Sequence, residues 1–192
     1  MTEIQQVTLD MGGFEVNSYI IHAPEADIVV DAGADAARIL AATDRLVAAI
    51  LVTHNHADHI GALEDVRRET GAPVYMHPLD AESAGVRDYE PLDDGEDMVV
   101  AGQAIHVLHT PGHSPGSVTF VVGGDQIVGD LILPGSVGRT DLGGARWQDI
   151  EISIRKVMPL WNEETRLFAG HGPVMDAMEE MRNNPYLPPV LA

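Results

Sequence analysis

The stretch Leu51-Val-Thr-His-Asn-His-Ala-Asp-His59 constrains this chain more than any other. It places three imidazoles and a carboxylate within six residues, directly behind an apolar run, Val47 to Val52, that reads as a buried strand. His54 and His56 stand two apart, so they converge only where the chain has left helix or strand geometry, in a turn at the strand end. Asp58 and His59 follow at the mouth of the next helix. Packing has no use for so many ligand-type side chains in one tight loop. Cations stabilise such a cluster, and imidazole with carboxylate suits zinc, iron or manganese. The plain alternative is a polar, histidine-rich surface turn.

Further candidates recur in the same setting. His113, in Thr110-Pro-Gly-His113, follows the apolar Ala104 to His109; Asp130 follows Gln126 to Gly129; His171, in Gly170-His-Gly172, follows Arg166 to Ala169. Strand ends hold side chains well, while the loops beyond them leave room for substrate. Gly112, Gly170 and Gly172 permit close backbone approach around a crowded centre. Asp31, at the end of another predicted strand, is either a turn former or a support for one of these histidines. His22 and His77 read as surface residues, His106 points to the opposite face of its strand from His109, and His109 reads as a residue that could reach the site only from behind a ligand.

The run His54-Asn-His56-Ala-Asp58-His59 has a His-x-His-x-Asp-His pattern. Together with His113, Asp130 and His171 it makes the chain resemble the metallo-β-lactamase superfamily from about Ile4 to Leu187. Gly138-Arg-Thr-Asp141 and Asn184-Pro-Tyr-Leu187 are similar to its glyoxalase II-like (hydroxyacylglutathione hydrolase-like) branch. The resemblance implies an α/β fold, an αββα sandwich of two mixed β-sheets flanked by helices. It is expected to form one domain over residues 1–192, without the helical C-terminal domain with which full-length glyoxalase II binds glutathione. It implies two divalent metal ions, zinc first, with iron or manganese also suited. His54, His56 and His113 would hold one, Asp58, His59 and His171 the other, and Asp130 would bridge them. Asp58 would also orient the nucleophile or accept its proton.

The activity so implied is metal-dependent hydrolysis of 2-hydroxyacyl thioesters. Arg139 is the candidate for a substrate carboxylate, and its alternative is a salt bridge with Asp141. A second reading is oxidative: the related persulfide dioxygenases share Arg139-Thr140-Asp141 and bind one iron, for which His54, His113 and Asp130 are the matching ligands. A lactonase or β-lactamase-type hydrolase is a third reading. A metal-binding interaction module with a closed, inert site is the non-enzymatic one.

Composition narrows the partners. The net charge of −19 repels phosphate backbones, which argues against nucleic acid and for a small-molecule substrate. No apolar run approaches the ~20 residues that span a bilayer, so no membrane role is expected. The first residues lack the basic start and apolar stretch of a signal peptide, which points to the cytoplasm. The chain has no cysteine, so disulfides, zinc–thiolate sites and cysteine nucleophiles drop out together. Oligomeric state is left open.

In chain order the patterns predict strands at Ile4 to Leu9, Val16 to His22, Asp27 to Asp31 and Val47 to Val52. An Ala-rich helix runs from Asp35 to about Leu46 and another from Ile60 to Thr70, with a short strand at Pro73 to Met76. Residues 78–97 read as an irregular, partly helical excursion. Strands follow at Met98 to Val100, Ala104 to His109, Val118 to Val122, Gln126 to Gly129 and, last, Arg166 to Ala169. Residues 131–145 read as a glycine-rich loop, Trp147 to Met158 and Val174 to Arg182 as helices, and the end as a proline-rich tail.

Overall fold

Period-two burial builds the molecule in four layers. The computed structural model describes residues 2–187; the proline-rich end, 188–192, lies outside them. One sheet runs β1 (Glu3–Asp10), β2 (Glu15–His22), β3 (Asp27–Val30), β4 (Val47–Leu51), β5 (Val74–Met76) and β6 (Glu90–Pro91) in spatial order. Its first three strands are antiparallel and the rest join in parallel. The other sheet is built on β7 (Asp97–Val100), β8 (Gln103–His109), β9 (Val118–Val122), β10 (Asp125–Gly129), β13 (Arg166–Ala169) and β14 (Met175–Asp176), in the order β14-β13-β10-β9-β8-β7. A small hairpin, β11 (Ile132–Leu133) and β12 (Ser136–Val137), stands beside them.

Successive residues of a strand face opposite sides, and the core divides accordingly. Tyr19, Ile21, Ile28, Val30 and Leu51 meet Ile105, Val107, Phe120 and Phe168 between the sheets. The alternate residues Ile20, Val29, Ile50 and Val52 face outward, against Ile39 of α1 (Ala36–Ala41), Leu63 and Val66 of α3 (Leu63–Thr70) and Ala81 of α4 (Pro78–Ala84). On the far side Leu108, Val128 and Leu167 pack against Ile150, Ile154 and Val157 of α5 (Trp147–Val157) and Ala177 of α6 (Ala177–Asn183). This is the expected αββα sandwich.

Several boundaries differ from the sequence reading, each for a local reason. α1 stops at Ala41, short of Leu46, because the buried Asp27 carboxylate takes the backbone N–H groups of Asp44 and Arg45 (2.7 and 3.0 Å) and draws the chain off the helix. The helix expected from Ile60 is two helices: α2 (Ala57–Ile60) ends there, and the N–H of Ala62 goes to Ala32 O instead (2.9 Å). The excursion at 78–97 contains a real helix, α4, with Pro78 in its first turn and Gly85 closing it in a left-handed conformation. The loop at 131–145 contains the β11–β12 hairpin, too short for a periodic signal. β13 is followed by β14, so the closing helix starts at Ala177, capped by Asp176 on Glu179 N (2.7 Å).

Candidate metal centre

β8, β10 and β13 run in the same direction, so the segments after them emerge at one end of their sheet. Hydrogen bonds tie that end to the first sheet: Asn17 N to Gly170 O (2.8 Å), Tyr19 Oη to Ala169 O (2.5 Å) and Val118 N to Thr53 O (2.9 Å). The loop after β4 therefore meets the loops after β8, β10 and β13. Those four connections carry His54, His56, Asp58, His59, His113, Asp130 and His171.

They converge as two triads. In His54, His56 and His113, and separately in Asp58, His59 and His171, the candidate donor atoms all lie within 4.8 Å of one another. The first three rings stand nearly perpendicular to each other, at interplanar angles of 84°, 78° and 84°. Asp130 lies between the groups: Oδ2 is 3.3 Å from His113 Nε2 and 3.4 Å from His171 Nε2, and Oδ1 is 3.6 Å from His59 Nε2. Asp58 Oδ2 is 3.4 Å from His171 Nε2.

The outer nitrogens explain which way the rings point. His113 Nδ1 meets the Arg139 carbonyl (2.9 Å) and His171 Nδ1 the Glu15 carbonyl (2.6 Å). A carbonyl only accepts, so in both rings Nδ1 carries the hydrogen and a neutral ring presents the Nε2 lone pair inward. Asp31 does the same for two more. Its Oδ2 faces His59 Nδ1 at 2.8 Å and also accepts from Thr53 Oγ1 (2.6 Å), which in turn lies 3.0 Å from His54 Nδ1. Asp31 is thus both the turn former, at φ 56°, and the support for two of the candidate ligand histidines, His59 directly and His54 through Thr53. A third cluster of Asp31, His54 and His59 lies on this outer, already hydrogen-bonded side.

The inner atoms fit a metal. Nε2 of His54, His59 and His113 and Oδ1 of Asp130 are buried without a hydrogen-bond partner, an arrangement costly to keep unless a cation takes the lone pairs. The charges lean the same way. Burial, then His59, pushes His54 well down, and burial, then His113, lowers His56. Burial would lower His59, but Asp31, Asp130 and Asp58 outweigh it and the net shift is upward. Burial would raise Asp130, yet the surrounding imidazoles hold it far below the carboxylate range. Hydrogen bonds to Asp130 and Asp58 raise His171 to about 10. The protons that these carboxylates favour on His59 and His171 are the charge a divalent cation would replace.

Two glycines make the convergence possible. A Cβ on Gly170 would stand 2.2 Å from Asp130 Oδ1 and 2.4 Å from His59 Cε1; one on Gly138 would stand 1.9 Å from Asp130 O and 2.8 Å from His113 Nδ1. Any side chain at either position would push a donor out of line.

The sequence pattern of the metallo-beta-lactamase superfamily matches residues 11–187. The chain belongs to that superfamily. Among relatives in it, the probable metallo-hydrolase YqgX of Bacillus subtilis is 32% identical, covering 93% of this chain and 95% of the relative. The hydroxyacylglutathione hydrolase GloC of Haemophilus influenzae is 28% identical, covering 91% and 93%. The structure of BLEG-1 B3 metallo-beta-lactamase superposes with a TM-score of 0.85 at 31% identity, over 97% of this chain and all of that one. TTHA1623 in a di-iron-bound form does so at 0.82 and 36%, over 95% and 100%. ETHE1 from Myxococcus xanthus matches at 0.81 and 26%, over 95% and 83%. The four-layer sandwich described above is the metallo-beta-lactamase fold.

Other residues singled out from the sequence fall elsewhere. The Arg139 guanidinium makes a fork on Asp141, Nε to Oδ1 at 2.7 Å and a terminal nitrogen to Oδ2 at 2.8 Å, and holds that carboxyl at about 2. His109 reaches no ligand; it bonds the Pro115 carbonyl (2.9 Å) and stacks on His77. His106 pairs with Asp97, and His22 with Asp27. Asp80 escaped the sequence reading. It is fully buried in α4, accepting from Gly116 N (2.6 Å), Ser114 Oγ (2.6 Å) and Asn55 N (2.9 Å). It joins the loop of His54 and His56 to the loop of His113. The available signal was Pro78-Leu-Asp80 in a helix start after an apolar strand, with Ser114 and Ser117 unassigned in the His113 loop.

Proposed function

We propose that this chain is a dinuclear metal-dependent hydrolase acting on acyl bonds, most nearly a glyoxalase II-like thioester hydrolase. The observation that carries the reading is the pair of donor triads with Asp130 lying between them. His54, His56 and His113 would hold one ion, Asp58, His59 and His171 the other, with Asp130 common to both. The chemistry that two ions would supply there is a water of lowered pKa and a polarised carbonyl. The chain's own contribution is placement. Asp31, Thr53 and the carbonyls of Arg139 and Glu15 fix the rings, and Asp58, partly buried at the cavity, can take the attacking water's proton. GloC, whose name states hydroxyacylglutathione hydrolysis, supports a thioester substrate.

The likeness to ETHE1 keeps an iron dioxygenase reading as the rival, resting on His54, His113 and Asp130 alone. The assembled second triad favours the dinuclear centre, because one ion would leave Asp58, His59 and His171 with no task. The test is elemental analysis of active protein beside three assays under one metal loading: lactoyl-glutathione hydrolysis, lactone opening, and oxygen uptake with glutathione persulfide. Two ions per chain with thioester hydrolysis is expected. A single iron with rapid oxygen uptake and background hydrolysis would overturn the proposal.

A further inference from the structure

The cavity over the donor triads has a volume of about 710 Å³, within the ~300–1,000 Å³ of pockets that enclose a whole small molecule. His56, Asp58, His113, Asp130 and His171 line part of it. Much of the rest is apolar and comes from both halves of the molecule. Met11 and Phe14 belong to the turn between β1 and β2, Leu133 and Val137 to the β11–β12 hairpin, and Leu142 to the glycine-rich loop. The Phe14 ring lies against His171, centroids 6.1 Å apart, so the apolar wall starts at the donor side chains themselves. Phe14 and Leu142 are left 52% and 38% exposed. Large apolar side chains grouped at a cavity mouth mark a surface that gains by being covered.

Charge points the same way. Arg139 is the one Lys or Arg among the described residues lining the cavity, and Nε and one terminal nitrogen of its guanidinium are already engaged by Asp141. A substrate carboxylate would meet only the remaining N–H groups of a guanidinium that Asp141 already neutralises, and would approach a protein of net charge −19.

Resting on the thioester reading above, we infer that this enzyme selects substrate through an apolar acyl chain and not through an anionic thiol carrier. The preferred substrates are acyl thioesters whose acyl group, with or without a 2-hydroxyl, carries an aliphatic chain of several carbons on an uncharged thiol, with lactoyl-glutathione a slower substrate of the same centre. The reaction balances without a redox partner. Water oxygen bonds to the acyl carbon, the carbon–sulfur bond breaks, and of the water's two protons one goes to sulfur and one to solvent, leaving a carboxylate and a thiol.

The experiment uses metal-loaded protein and N-acetylcysteamine thioesters from acetyl to octanoyl, with the glutathione thioesters of the same acids beside them. Partial burial of each methylene should raise kcat/KM roughly two- to fourfold, hence at least about tenfold from acetyl to hexanoyl. KM on glutathione should be no lower than on the neutral carrier. A flat series, or a lower KM on glutathione, overturns the inference. Calorimetric binding of non-hydrolysable ketone analogues bearing methyl or hexyl chains reads the pocket without turnover. Chain-dependent binding with no thioester turnover would sink the hydrolase reading and leave the pocket assignment standing. Turnover with no chain dependence in either measurement does the reverse. Phe14→Ser with Leu142→Ser, both at the exposed mouth, should flatten the series. Leu46→Ser, at an 86% exposed position away from the cavity, should leave its slope intact. An unchanged slope in the double variant would overturn the assignment of the wall.

Discussion

The Ser114 hydroxyl donates to Oδ2 of Asp80 at 2.6 Å, and the same oxygen accepts the N–H of Asn55 at 2.9 Å. One buried carboxylate thereby fixes the chain on either side of three donors, His54, His56 and His113, without touching any of them. Removing it leaves buried donors unanswered. Asp80→Ala should cost about 2–4 kcal/mol of stability in urea unfolding and lower occupancy of the first triad before the second. Metal content that stays at wild type in the folded variant would count against this positioning role.

Asp31 acts on both groups at once. Asp31→Ala frees His59 and, through Thr53, His54 to turn. Loss of such a partner typically weakens metal affinity 10- to 100-fold. Competition with a chelator should show that drop, and Asp31→Asn should recover part of it; equal affinity in all three proteins would contradict the geometry.

The two triads should separate under mutation. Asp130→Ala removes the carboxylate common to both and should weaken both ions, whereas His171→Ala should mainly loosen the second. Titration of each variant with zinc, followed by stoichiometry, distinguishes them. His106→Ala, paired only with Asp97 at the surface, serves as the control and should bind metal as wild type does.

Stability toward acid should depend on Asp27, remote from the metal centre. Burial would raise its carboxyl, but His22 and the N–H groups of Asp44 and Arg45 prevail and lower it. Its folded value therefore lies beneath the unfolded value of about 4. The contribution is complete above that unfolded value and is lost as pH falls through the folded one. Asp27→Asn should narrow the stability gap between pH 6 and pH 3; an unchanged gap would exclude Asp27 from acid unfolding.

Much of this was legible from the chain because strand alternation and donor spacing are local signals. His54 to His59 announce themselves in one loop, and His113, Asp130 and His171 each follow an apolar run. What could not be read depends on partners far apart in sequence. Asp80 lies 34 residues from Ser114, and no periodicity links such a pair. Support of a histidine was one of two readings of Asp31, but nothing local says that its partner is His59, 28 residues on. The early end of α1 belongs to the same class, since its Ala-rich pattern continues while Asp27, buried in a neighbouring strand, captures the backbone. The fork between Arg139 and Asp141 was one of two options at the sequence level, and only side-chain placement shows it closed.

The donors come from opposite sides of the sandwich: His54, His56, Asp58 and His59 follow a strand of the first sheet, and His113, Asp130 and His171 follow strands of the second. An ion gripped by His54, His56 and His113 would therefore be a clasp across the seam, in a chain with no cysteine to form a covalent one. A ligand bound only by the native state adds about 4 kcal/mol when free ligand is a thousandfold above its Kd. In a metal-starved cell that contribution would vanish, the seam would part more often, and proteases would find the chain. The abundance of this protein would then track the cell's metal supply, with no dedicated sensor involved.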